Sequence, residues 1–169
     1  MRIAIIYYKP YPEDRGLNQV ISLLTQLGYE VDVVSLFVRY YKINNSNSLV
    51  SYYGIIKKPN PLNKLYFSSF PFYNNWKSKL KSLYKERKWN LFIVRESLLA
   101  NSVIALARKY NIPAILDMRE NRPDMIKANT KGIKKIFLKP YIKLIRLYEK
   151  KYLLKFDHIF TVSPELKQW

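Results

Sequence analysis

The sequence predicts an α/β protein: a Rossmann-like, mostly parallel sheet with helices on both faces. Three observations carry that expectation. Short β-branched and apolar runs alternate along the chain with segments of helical periodicity. The strand-type runs, such as "RIAIIYY" (2–8), are continuously apolar rather than alternating, as strands buried on both faces are. Apolar residues make up 49% of 169, which suits one domain with a proper core.

The elements follow in order. Two prolines in "KPYPEDRG" end the first strand, and Leu17, Val20, Ile21, Leu24 and Leu27 then recur at helical spacing as far as Gly28. "EVDVVSL" (30–36) is the second strand. Residues 40–75 show little periodicity: the Asn/Ser-rich "NNSNS" precedes "YYGIIKK", readable as a short strand. Over 76–89, Trp76, Leu80, Leu83 and Tyr84 fall on one side of a helix. "LFIVRE" (91–96) is a strand, "SLLANSVIALARKYN" (97–111) a helix and "IPAILDM" (112–118) a strand. A basic helix over 140–155, started or kinked by Pro140, carries a stripe drawn from Ile133, Phe137, Tyr141, Leu144, Tyr148 and Tyr152. A strand over 158–162 follows, and Ser163 with Pro164 signals a new helix at once. A parallel sheet over 2–8, 30–36, 91–95, 113–118 and 158–162 is therefore expected, in a single domain, 1–169, without internal repeats.

Composition excludes several classes. There is no cysteine and one histidine, His158, so disulfides, thiolate metal sites and a Ser-His-Asp triad are disfavoured, and His158 reads as structural. No apolar run is long enough to span a bilayer, and the N-terminus lacks a small-residue cleavage site. Of four glycines only Gly16 lies in the turn after the first strand, so the G-x-G-x-x-G of dinucleotide enzymes is missing, as is a P-loop. The net charge of +18 is the outlier. It sits in two blocks, 57–88 and 131–155, while residues 1–38 are near neutral. Such an excess attracts polyanions or anionic membrane.

In open α/β sheets, ligands bind beyond the carboxyl ends of the strands. The residues to inspect are thus Tyr8 to Gly16, Arg95 to Ser97, Asp117 to Asp124, and Ser163. Gly16 opens a helix whose free N–H groups could hold a phosphate, aided by Arg15; a plain turn with a surface Arg is the alternative. Arg95 and Glu96 end a strand, either at a site or as an ion pair. Asp117, Arg119 and Glu120 cluster in the same way, as site residues or as an N-cap with a salt bridge.

The order of "MRIAIIYYKPYPEDRGLNQVISLLTQLGYEVDVVS", "WNLFIVRES", "NIPAILDMRE" and "FDHIFTVSPELKQW" resembles the N-terminal half of family 4 glycosyltransferases with the GT-B fold. It covers roughly 1–38, 89–124 and 148–167, and the turn "LGYEV" takes the place of the family's "hGhEV"; residues 40–88 show no likeness. The resemblance implies the acceptor-side domain of a retaining glycosyltransferase, which transfers sugar from a nucleotide-sugar to a polysaccharide or lipid-linked glycan. It implies that Arg15, Gly16, Arg95, Glu96, Asp117, Arg119 and Glu120 bind substrate. It also implies that the nucleotide-sugar domain lies beyond Trp169 and is missing, so the chain alone should transfer no sugar. Neither cofactor nor metal is expected in this domain.

Lys77, Lys79, Lys81, Lys134, Lys135, Lys139 and Lys143, interleaved with Tyr and Trp, suit contact with an anionic membrane, which would make the protein cytoplasmic and peripheral. Two rivals stand beside this reading. One is a basic nucleic-acid-binding module, for which no signature is present. The other is an inactive half-domain that only docks a partner.

Overall fold

The computed structural model describes residues 1–12, 14–39, 47–56, 74–119, 122–129 and 134–161. Within them lie six strands in one sheet: β1 (Arg2–Tyr7), β2 (Glu30–Ser35), β3 (Val50–Gly54), β4 (Leu91–Arg95), β5 (Ala114–Met118) and β6 (His158–Thr161). The helices are α1 (Arg15–Gln26), α2 (Asn74–Arg87), α3 (Ala100–Tyr110), α4 (Arg122–Asn129) and α5 (Lys134–Tyr152), with 3-10 turns over Ser97–Leu99 and Leu153–Lys155. The strand order is β3-β2-β1-β4-β5-β6, every pairing parallel. This is the Rossmann-like α/β fold that the alternation predicts.

Register explains the two-sided core. Ile5 lies beside Val33 and Ile93, and Ile6 beside Val34 and Val94. Odd positions of β1 therefore share one face and even positions the other. On the odd face, Ile3, Ile5, Val31 and Val33 pack with Leu17 and Ile21 of α1. On the even face, Ala4, Ile6, Val94 and Leu116 pack with Trp76 and Leu80 of α2, Val103 of α3 and Ile145 of α5. Because β2 and β3 extend the sheet to one side of β1 and β4 to β6 to the other, the winding reverses between β1 and β4. A crevice opens at such a reversal, at the carboxyl ends of those strands.

Local chemistry sets the element ends. Asp14 caps α1, its carboxylate accepting from the Leu17 N–H at 3.0 Å. At the other end Gly28 takes φ 80°, and bonds from Tyr29 N–H to Leu24 O and from Gly28 N–H to Thr25 O close the helix. Asn111, at φ 52°, ends α3 in the same left-handed region.

Three expectations need correction. The basic helix starts at Lys134 rather than Pro140, which lies inside it, so 134–140 adds nearly two turns. Leu144 is not on the packed stripe: it is 45% exposed, and Ile142 and Ile145 take its place in the core. The helix α4 within "RPDMIKAN" was not anticipated, having weak apolar periodicity. The expected helix from Ser163 lies outside the described residues.

One buried charge ties this frame together. Asp32, 1% exposed in β2, accepts from Arg87 Nε and Nη2 (2.9 Å each) and from the Trp89 indole N–H (2.7 Å). Arg87 thus turns inward to the sheet and leaves the exposed part of the basic block 57–88. Asp32→Ala strands the guanidinium and the indole donor together, and should cost about 3 kcal/mol in urea unfolding. Trp89→Phe, which loses one bond and little area, should cost about 1 kcal/mol.

Candidate functional site at the carboxyl edge of β1, β4 and β5

Arg95 ends β4 and is 2% exposed. Its Nε and Nη2 each donate to a different oxygen of Asp14 at 3.0 Å, a bidentate pair, and its Nη1 donates to Asp117 Oδ2 at 2.8 Å. One guanidinium thereby joins the loop after β1, the end of β4 and the end of β5. Asp14 caps α1 with the same carboxylate, so that clamp also fixes the helix start.

Arg119 completes the cluster. Its Nε donates to both oxygens of Asp117 at 3.3 Å, and the group is 35% exposed. Its terminal nitrogen lies over Gly16, where an added Cβ would fall 2.8 Å from Arg119 Nη1 and 3.2 Å from Arg95 Nη2. Gly16 is thus needed for close approach of two guanidiniums to the helix start, not for an unusual φ.

Glu96 follows Arg95 with φ 82° and ψ 146°, a conformation close to the region reserved for glycine, costing about 1–3 kcal/mol. It is 8% exposed; its N–H donates to Asp117 O at 3.2 Å and its carboxylate pairs with Lys9 at 3.3 Å. The turn after it is held from α5: Ser97 Oγ donates to the buried Glu149 Oε1 at 2.6 Å, and the Tyr148 hydroxyl bridges Leu98 O and Asn101 N–H at 2.9 Å each. Tyr7, ending β1, has its hydroxyl pushed up to about 12 by burial, with Lys9 opposing, so it is a neutral donor across the physiological range.

The expected residues therefore separate. Gly16, Arg95, Asp117 and Arg119 meet, and Glu96 lies beside them. Arg95 is enclosed in ion pairs, the alternative left open by the sequence. Arg15 is exposed on the first turn of α1, with no ion pair to the cluster among the described residues. Glu120 lies outside the described residues. Asp14 falls in the stretch Tyr8 to Gly16 but was not singled out, although Asp just before a helical stripe is an N-cap signal. His158 is exposed on the edge strand β6. Lys77, Lys79, Lys81, Lys139 and Lys143 are exposed, and the side chains of Lys134 and Lys135 lie outside the described ones. Among the described residues no group of three potential ligands could hold a metal, and no helix is long and apolar enough to cross a membrane.

The arrangement suits hydroxyls better than anions. Two carboxylates and two guanidiniums cancel, and the start of α1 already holds the Asp14 carboxylate, which disfavours a phosphate there. What remains is a neutral set of donors and acceptors with Arg119 and Asp14 at its rim.

Arg95→Met leaves Asp14 without its counter-charge and Asp117 with Arg119 alone, and should destabilise the domain by about 3 kcal/mol in urea. Gly16→Ala must push Arg119 aside and also crowds the clamped Arg95 Nη2, so it should cost about 1–2 kcal/mol. The Tyr7 proton is held more tightly folded than unfolded, so its stabilisation is complete below pH 10 and is lost as pH rises through about 12. Tyr7→Phe should accordingly flatten the alkaline limb of a stability–pH curve.

No family model and no curated protein matches the sequence. Among solved structures, sucrose-phosphate synthase from Thermosynechococcus elongatus, a glycosyltransferase of GT-B type, superimposes on 96% of the chain with a TM-score of 0.53 at 13% identity. The chain spans 47% of that enzyme, about half its length. A UGT transferase from Siraitia grosvenorii, solved with UDP, aligns with 70% of the chain and 28% of its own at TM-score 0.48 and 13% identity. The C-terminal domain of a hydrogenase from Pyrococcus furiosus aligns with 69% of the chain and 90% of its own at TM-score 0.47 and 17% identity. The likeness to sucrose-phosphate synthase bears on the fold alone, a Rossmann-like α/β unit.

Proposed function

We infer that this chain is the acceptor-side half of a retaining, nucleotide-sugar-dependent glycosyltransferase of the GT-B fold, similar to those of family 4. Its substrate is a polysaccharide or lipid-linked glycan at the cytoplasmic face of a membrane. The observation that carries this reading is the neutral Asp14–Arg95–Asp117–Arg119 cluster at the point where the sheet reverses its winding. Sugar hydroxyls both donate and accept, and paired carboxylates and guanidiniums answer both needs without a net charge that would call for a phosphate. The likeness over nearly the whole chain to half of sucrose-phosphate synthase supports it. A second Rossmann-like domain would bring the nucleotide-sugar, and this domain would need neither cofactor nor metal. The exposed lysines of α2 and α5 would face the anionic leaflet.

Amide chemical shifts of the chain, titrated with a panel of oligosaccharides and separately with nucleotide-sugars, test this. Sugars should move residues 95–97 and 117–119 at millimolar concentration, Arg119→Ala should abolish the response, and nucleotide-sugars should leave that edge still. Nucleotide binding at that edge, or silence to every glycan, would remove the acceptor-side assignment in favour of a docking half-domain.

A further inference from the structure

The cationic surface of α5 has an order that the α2 block lacks. Lys139, Lys143, Arg146 and Lys150 are all exposed and spaced i, i+4, i+7, i+11, so at about 100° per residue they fall within about 60° of one another. On α2, Lys77 and Lys81 share a side while Lys79 stands about 160° away, and Arg87 is bound inward to Asp32.

Beside the α5 stripe stands the exposed Leu147, 56% exposed and about 40° round the helix from Lys143, while Leu144, 45% exposed, lies about 100° from Lys143 on the far flank. The opposite face of the helix is anchored in the fold by Ile145 and Glu149, 0% and 1% exposed. The outward face is therefore fixed in direction and cannot roll to hide its leucines.

Against this stripe packs α4. Lys127, Lys139, Ile142, Lys143 and Arg146 line a cleft of about 350 Å³. Asp124 enters the same region, bonding Lys127 at 3.0 Å and Arg146 at 3.1 Å. The Lys127 hydrogen bond, with Arg146 nearby, holds the Asp124 carboxyl below its usual range, so it offsets one cation at neutral pH. Among the described residues no carboxylate pairs with Lys139 or Lys143.

We propose that the cleft between α4 and α5 seats the phosphate of an anionic lipid, with α5 lying along the bilayer surface and Leu147 below the headgroups. This rests on the membrane part of the function proposed above and gives it a site. Converging ammonium and guanidinium groups suit a phosphate. A leucine fixed beside them loses contact with water only where the phosphate belongs to a lipid, because the backbone of a nucleic acid would leave it exposed. The lysine stems cover apolar surface while their heads reach the headgroup layer.

The test uses the whole chain and sedimentation with vesicles of phosphatidylcholine alone or with added phosphatidylglycerol. Binding should require phosphatidylglycerol. Lys139→Glu/Lys143→Glu should weaken it more than about tenfold, against less than about threefold for the equal charge change Lys77→Glu/Lys81→Glu. Leu147→Ser should weaken it about threefold, and chiefly the fraction that survives added salt. All these positions are exposed, so thermal unfolding should be nearly unchanged. Equal losses from the two lysine pairs would overturn the cleft while sparing the membrane reading. A wild-type chain indifferent to phosphatidylglycerol would overturn both. Tighter binding to duplex DNA than to vesicles, unaffected by the leucine change, would also overturn the proposal and assign the stripe to nucleic acid.

Discussion

The bidentate pair between Arg95 and Asp14, with the third bond to Asp117, is the constraint on which the upper edge of this molecule depends. A guanidinium 2% exposed is costly to bury without counter-charge. Asp14 comes from the loop after β1 and Asp117 from the end of β5, so balancing that one charge brings together segments more than a hundred residues apart in sequence. The rest of the edge follows from it. Gly16 is small because two guanidiniums crowd the helix start. Arg119 is oriented because Asp117 is already held.

The lower frame answers to a parallel device. Asp32 in β2 draws in the end of α2 through Arg87 and the indole of Trp89, just before β4. Two buried carboxylate–arginine contacts therefore position β4 at both ends, one under the sheet and one over it. Between them the side chains are apolar and interchangeable in kind; at either end they are not. That division separates residues that build the sheet from those that shape what the sheet presents. The α5 contacts of Glu149 and Tyr148 on the Ser97 turn add a link between the basic helix and the same edge.

The sheet was legible because its strands are buried on both sides: "RIAIIYY", "EVDVVSL" and "LFIVRE" announce themselves by apolar continuity alone. Strand β3 was only hinted at, since "VSYYG" is partly buried throughout and lies at the sheet's edge. Helix α4 escaped because its residues carry almost no apolar period, and Pro140 misplaced the start of α5 because a proline is a local signal that packing overrode. The site was half legible. The sheet-end rule gathered Gly16, Arg95, Asp117 and Arg119 from four places in the chain. It did not say which would face a ligand. Arg95 and Arg87 look like surface cations in sequence, and only the three-dimensional positions of Asp14 and Asp32 turn them inward.

Amide hydrogen exchange on Asp14→Asn tests the central claim most directly, since that change spares the N-cap but removes half of the charge balancing Arg95. If the Arg95 clamp organises the edge, exchange should speed up together at the first turn of α1, at 95–97 and at 117–119. Faster exchange confined to the first turn of α1, with β4 and β5 ends unchanged, would contradict it.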